Sequence, residues 1–153
     1  MKLFIYFFAT LVIIVSLLLV GISIASRKQP ELGLVDGHLR PCPATPNCVC
    51  SEHPGKDAYI EPLDYTGSTE AAWVRLERVI AETGGLVIAE APGYLRAVYE
   101  TQLLRFIDDV EFRQDKNNSM IHVRSASRMG HSDLGANRKR VEKIRAVFAN
   151  NQD

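Results

Sequence analysis

Charge is what the beginning of this chain lacks. Across residues 3–25 there is no Asp, Glu, Lys or Arg and no proline, and only Thr10, Ser16, Gly21 and Ser23 interrupt the apolar run. A surface helix of a soluble domain keeps one polar face, so a stretch that is apolar on every side excludes that role. Net charge is also missing, because 18 Lys and Arg balance 18 Asp and Glu. Three of the cations, Lys2, Arg27 and Lys28, lie in the first 28 residues, where there is no acid, so the remainder is mildly acidic. That balance, and the lack of an aromatic platform beside the arginines, excludes a nucleic-acid-binding face built on positive potential. Internal repeats, low-complexity tracts and long linkers are absent, and 153 residues hold one domain once the apolar stretch is set aside. No cysteine or histidine spacing marks a zinc ribbon or finger, and no local motif marks an activated nucleophile.

The apolar stretch is the clearest feature that is present. Its 23 residues, rising about 1.5 Å each, can cross a hydrocarbon core about 30 Å thick. The apolar region of a cleaved signal peptide is usually about 7–15 residues. The expectation is therefore a membrane anchor over 1–26 followed by one globular domain over 27–153. Cleavage stays open as the alternative, since Ser23-Ile24-Ala25 is a small-x-small site followed by Ser26, and a cut near Ala25 releases a secreted domain. Lys2 and the α-amine on one flank nearly balance Arg27 and Lys28 on the other, so loop charge does not orient the segment. The short tail before the apolar run resembles an uncleaved signal, which sends the domain across the membrane.

All three cysteines fall in Pro41-Cys42-Pro43-Ala44-Thr45-Pro46-Asn47-Cys48-Val49-Cys50-Ser51, a segment stiffened by three prolines. Cys42 and Cys48 are spaced to close a small disulfide ring, whereas Cys48 and Cys50 are too near in an extended chain for unstrained geometry. A Cys42–Cys48 bridge with Cys50 left over is the expected pairing, and a staple in a polar loop suits an oxidising compartment. Two sharper readings compete. One is a metal site adding His53 to the three thiols; the other is a nucleophilic Cys48 or Cys50 with His53, His122 or His131 as base. The first lacks the paired spacing of structural zinc and nothing local places the base for the second, so no metal and no cofactor is expected.

Periodicity outlines an α+β fold. After Ser68, residues Ala72, Trp73, Leu76, Val79 and Ile80 recur at three and four and Gly84-Gly85 ends the run, which predicts a helix with Arg75, Glu77, Arg78 and Glu82 on its wet side. Four strands follow over 86–89, 94–101, 106–113 and 120–124, with turns at Ala91-Pro92-Gly93 and Asp115-Lys116-Asn117-Asn118. A last helix over about 135–149 carries Val141, Ile144, Val147 and Phe148 on one stripe. The order αββββα with short connections predicts an antiparallel four-stranded sheet with two helices on one face.

The densest run of function-capable groups joins the last strand to the last helix. Seven Lys or Arg lie between residues 119 and 145 against only Asp133 and Glu142. Ser132 or Asp133 is placed to cap the helix, and the cations that crowd its first turns are disfavoured there by about 0.3–1 kcal/mol each, so they need partners. Those partners can be internal: Arg138 with Glu142 at i+4, and Asp108 or Asp109 with Arg124 or Arg128 across the sheet. They can equally be an external anion, a phosphate or carboxylate held by Arg124, Arg128, Arg138 and Arg140, by Asn137, and by the hydroxyls of Ser125, Ser127 or Ser132 beside Asp133. An anionic lipid headgroup is a natural ligand for an anchored domain, and an envelope protein docking on the same segment is the other partner this composition allows. An enzymatic alternative makes Asp108, Asp109 or Asp133 the acid or base of a hydrolase-type site beside arginines that stabilise an oxyanion. A purely structural module has the polar residues satisfy one another. The leading expectation is a non-enzymatic, membrane-anchored module that binds an anionic ligand or protein partner through this arginine-rich segment.

Two motifs carry a resemblance. Pro41-Cys42-Pro43 through Pro46-Asn47-Cys48-Val49-x-Ser51, and His122-Val123-Arg124-Ser125-Ala126-Ser127-Arg128 through Ser132-Asp133-Leu134-Gly135-x-Asn137-Arg138-x-Arg140, resemble domain-of-unknown-function family 1499, with the likeness running over about 32–148. The resemblance implies a small, exported or membrane-associated bacterial protein, with relatives in photosynthetic eukaryotes, and no activity to carry over. The expected location is then a bacterial inner membrane, crossed once, with the domain in the periplasm. Cys50 departs from the family pattern, which has Ser there, so the third thiol stands outside any shared chemistry.

Overall fold

The computed structural model describes residues 1–53, 57–101 and 104–150. The end of the domain expected over 27–153, residues 151–153, therefore lies outside the described residues. The chain opens with α1 (Lys2–Ser26), one uninterrupted helix long and apolar enough to cross a membrane, as a membrane anchor or signal sequence requires. Residues 1–18 are exposed, and only the last turns of the helix touch the domain, partly covering Leu19, Ile22 and Ser23 and burying Ser26.

The domain follows as β1 (Cys48–Cys50), β2 (Leu63–Asp64), α2 (Thr69–Glu82), β3 (Gly85–Ala91), β4 (Tyr94–Glu100), β5 (Ile107–Asp115), β6 (Met120–Ser127) and α3 (Ala136–Asn150). The strands form one antiparallel sheet in the order β1-β6-β5-β4-β3, with β2 on the same edge of β6 as β1. The α+β class stands, but the four-stranded sheet gains β1 and β2. Strands of two and three residues are too short to show a periodicity, which is why they read as loop. β6 also runs on past Arg124, so Ser125 and Ser127, expected in a ligand loop, are strand residues opposite Val110 and Asp108.

The two-residue period of the strands gives the sheet two unlike faces. Val49, Leu95, Ala97, Tyr99, Val110, Phe112, Ile121 and Val123 meet Leu76, Val79 and Ile80 of α2 and Val141, Ile144 and Phe148 of α3 in the core. Ser68 caps α2 as its sequence predicts, its Oγ accepting the Ala71 N–H at 3.1 Å. Arg75 corrects the expected wet side: it is buried, with its guanidinium 4.7 Å from the centroid of the Phe148 ring. The apolar stem fills the seam between the helices and the ring offers the cation a π face. Gly85 starts β3 where a Cβ would fall 2.5 Å from Tyr99 Cζ and 2.7 Å from Ile80 Cγ2, a closeness only glycine allows.

The other face is charged, and α2 and α3 both pack on the opposite, apolar side. Register places Tyr94 opposite Arg113, Arg96 opposite Glu111, and Glu111 opposite Arg124. The chain between α1 and β1 lies over this face, with Leu39 packed on Cys50 and Tyr94 and with Cys42 against them.

Candidate functional site

The nine residues expected at one anion site fall into three groups. The first, Arg124 and Arg128, belongs to the covered charged face. Asp109, 2% exposed, accepts from Arg96 Nε at 2.9 Å and Nη2 at 2.7 Å, and from Arg128 Nε at 2.7 Å and Nη2 at 2.9 Å. Glu111, fully buried, accepts from Arg124 Nη1 at 3.0 Å, from the Tyr94 hydroxyl at 2.7 Å and from the Gly33 N–H at 3.2 Å. Glu52 accepts from Arg113 Nε at 2.7 Å and from the Leu39 N–H. These groups tie the covering chain to the sheet: Arg96 Nη1 also donates to Pro30 O at 3.2 Å, and Arg128 Nη1 to Ser26 O at 3.1 Å and Arg27 O at 3.3 Å. Of the pairs anticipated across the sheet, Asp109–Arg128 forms, whereas Arg124 goes to Glu111 and Asp108 to Arg140.

Burial and its partners set the titration of this face. Burial pushes the Tyr94 hydroxyl up, and the hydrogen bond to Glu111 pushes it further. Burial alone raises the Glu52 carboxyl, but hydrogen bonds from Arg113, the Leu39 amide and His38 outweigh it and hold Glu52 below its ordinary range. His122 Nδ1 lies 3.1 Å from Ser51 Oγ, which accepts the Val123 N–H at 2.9 Å, and its Nε2 lies 3.6 Å from Asp115 Oδ2. Burial, helped by Arg113, pushes His122 down against the pull of Glu52 and Asp115.

The second group, Ser125, Ser127, Asn137 and Arg140, forms a knot on the helix side of the sheet. Asn137 is fully buried; its Oδ1 accepts from Ser125 Oγ at 2.6 Å and Arg140 Nη1 at 2.5 Å, and its Nδ2 donates to Asn47 O at 2.9 Å and Ser127 Oγ at 3.0 Å. Arg140 completes the knot by pairing with Asp108 and lying 5.1 Å from the centroid of the Tyr99 ring. Every polar atom of Asn137 is thereby used inside the protein, and the knot pins α3 to β6 and to the end of the cysteine loop.

The third group faces open space. Ser132, Asp133 and Arg138 line a cavity of about 700 Å³, a volume suited to a small molecule, together with Cys42 to Pro46, Cys48 to Cys50, His53 and Asp57. Asp133 occupies the positive end of α3 itself: its Oδ1 accepts the Gly135 N–H at 2.9 Å and its Oδ2 the Asn137 N–H at 2.8 Å. Arg138 does not reach Glu142, which pairs with Arg145. Its Nη2 donates to Asp57 O at 2.9 Å and Tyr59 O at 2.8 Å, leaving Nε and Nη1 without a protein partner among the described residues. His53 Nε2 is likewise buried without a partner among the described residues.

The three cysteines line the same cavity. Cys42 and Cys48 are joined in a disulfide with Cα atoms 5.6 Å apart, and Cys50 is the free thiol, buried. The bond takes two of the four donors from the metal reading and takes Cys48 from the nucleophile reading. Burial pushes the Cys50 thiol up, away from the thiolate that nucleophilic attack requires.

Sequence reasoning missed Glu52, Tyr94, Arg96, Glu111 and Arg113. A signal for three of them existed: Asp109, Glu111 and Arg113 alternate along β5 at a spacing of two, flanked by Arg96 on β4 and Arg124 on β6. No curated protein and no solved structure matches the chain. Residues 38–148 do match a family described as "Protein of unknown function (DUF1499)", a span that takes in the cysteine loop, the whole sheet and the start and stripe of α3. With most of its length covered by that match, the chain belongs to the DUF1499 family.

Proposed function

We propose that this is a bacterial inner-membrane protein, crossing once through α1, whose periplasmic domain binds a small apolar-bodied anion in the cavity between the disulfide loop and the start of α3. Arg138 is the observation that carries the reading. Among the described residues it is the one arginine of the 119–145 segment without a carboxylate partner, and it lines the cavity with two donor nitrogens unengaged. The same cavity is lined by Pro41, Pro43, Ala44, Pro46 and Val49, walls for an apolar body, while Ser132 and His53 add hydrogen-bonding capacity. Arg124, Arg128 and Arg140 are answered by Glu111, Asp109 and Asp108, so their part is structural. The same pairs bury Asp108 and Asp109, leaving neither as an open acid or base for a hydrolase, so the reading is one of binding.

Retention of α1 is supported at its end. Ser26 is fully buried and its carbonyl accepts from Arg128; a cut after Ala25 would set a new α-ammonium at that buried position beside the guanidinium. The disulfide supports the oxidising side of the membrane. The test is native mass spectrometry of the full chain, purified in non-ionic detergent without reductant. A co-purifying anion on the wild type that is lost in Arg138→Ala, with the mass two units below the fully reduced value in both, is the expected result. A ligand-free wild-type protein overturns the reading.

A further inference from the structure

The way α1 is fastened determines which surface of the domain meets lipid, an inference that rests on the retained anchor proposed above. Ser23 Oγ donates to Arg105 O at 3.4 Å, the Ile107 N–H donates to Ser26 Oγ at 3.2 Å, and Arg128, held by Asp109, donates to Ser26 O and Arg27 O. Ser23 lies inside the apolar stretch, so the backbone at Arg105 sits level with the last turn of the spanning helix, in the headgroup layer. The register then assigns the rest of that end. Gly85 pairs with Tyr99, Tyr99 with Asp108 and Asp108 with Ser127, which gathers the starts of β3 and β5 and the ends of β4 and β6 there. The turn at Gly93 and the polar turn Asp115-Lys116-Asn117-Asn118 lie at the opposite end.

The loop that leaves β6 at the near end, 128–135, carries Met129 and Leu134 into solvent. Leu134 is 88% exposed, more than any other large apolar side chain among the described residues that follow α1, and has φ +53°, a setting leucine rarely adopts. Leu86, at the start of edge strand β3, is exposed at the same end. Arg27 and Lys28 follow directly on the helix and put two cations at this level. We infer that this end of the sheet rests on the bilayer, with Leu134 and Met129 inserted beneath anionic headgroups that Arg27 and Lys28 attract. Ser132, Asp133 and Gly135, which form one wall of the cavity, adjoin that rim. The anion taken up there is then an anionic lipid.

The experiment uses the full chain in vesicles of phosphatidylcholine and phosphatidylglycerol, in a Cys50→Ser background. Reporter cysteines Leu134→Cys, Val74→Cys and Leu11→Cys are labelled with an environment-sensitive fluorophore. Position 134 makes no core contact, and position 74 lies beside Pro92 and Gly93 at the far end. The expected result is at least threefold stronger quenching of position 134 than of position 74 by lipids carrying a nitroxide just below the headgroup, with position 11 quenched by a nitroxide deep in the acyl chain. If position 11 is quenched by lipid while position 134 behaves like position 74, the docking surface is overturned and the anchor stands. If position 11 is quenched only from water, the anchor and the docking surface fall together.

Discussion

Asp109→Asn tests the charged face most directly. One carboxylate there answers two guanidinium groups whose side chains are 9% and 5% exposed. The amide keeps the shape and one acceptor oxygen but turns an NH2 group toward the second arginine and leaves two buried cations with no anion between them. Breaking a buried pair from one side costs about 3–5 kcal/mol, and here a single change affects two pairs, so a loss of about 4 kcal/mol is expected. Asp108→Asn is the comparison. Arg140 keeps Ser125 Oγ at 3.0 Å, Asn137 Oδ1 at 2.5 Å and the Tyr99 ring, so that change should cost only about 1–2 kcal/mol. Urea unfolding of the full chain in detergent, followed by Trp73 fluorescence, measures both. Arg128 holds the carbonyls at the end of α1, so Asp109→Asn should also speed tryptic cleavage after Arg27 and Lys28 severalfold. The triple change Arg96→Met, Asp109→Leu, Arg128→Met should recover most of the lost stability yet stay sensitive to trypsin, because apolar replacements remove the stranded charges without restoring the clasp. A loss below about 1 kcal/mol for Asp109→Asn, or equal losses at positions 108 and 109, would refute the reasoning.

Two further outcomes follow from the same geometry. Reducing Cys42–Cys48, which closes a ring with a sequence separation of 6, should lower stability by about 2 kcal/mol on the chain-entropy relation; an unchanged urea midpoint in dithiothreitol would contradict it. Stability should also fall on acidification in two windows. His122 is held below its ordinary 6.5, so as pH drops below 6.5 the unfolded chain takes up a proton that the folded one refuses, and stability is lost until the folded value is reached. Glu52 is held below its ordinary 4.5, so its contribution is present above 4.5 and lost as pH falls through its folded value. His122→Gln should flatten melting temperature between pH 7 and 5 and leave the lower window in place.

How much of this was legible in the sequence depended on whether a residue's partner lay on its own element. The 23 apolar residues of α1, the stripe of α2 and the Ser68 cap are local patterns, and each reads correctly without knowledge of the rest. The Cys42–Cys48 pairing was legible because three prolines leave that loop few ways to turn. Arg75 was misplaced because its partner, the Phe148 ring, lies on the other helix. The arginine-rich segment failed as a single site for a similar reason. Arg124 and Ser125 are neighbours in the chain, yet the pleat sends one to Glu111 and the other to Asn137, on opposite faces of the sheet. Reading β6 as ending at Arg124 concealed that separation, since a loop would have allowed both to reach one ligand.

The charged face raises the question of why a protein buries so many ions where an apolar face would serve. Buried ion pairs add little stability over well-packed apolar groups, so stability alone does not account for Asp109, Glu111 and Glu52. Their hydrogen bonds share a direction. Each carboxylate, or an arginine it holds, reaches a backbone group of the covering chain: Ser26 and Pro30 for Asp109, Gly33 for Glu111, Leu39 for Glu52. An apolar face would let an extended segment slide by a residue or two at little cost, whereas four directed bonds at 26, 30, 33 and 39 fix its register. Because that register begins at the last turn of α1, it also sets the angle at which the domain leaves the helix. The ionic face is therefore best understood as a hinge lock, which is why breaking Asp109 should free the tether even when an apolar replacement restores the fold.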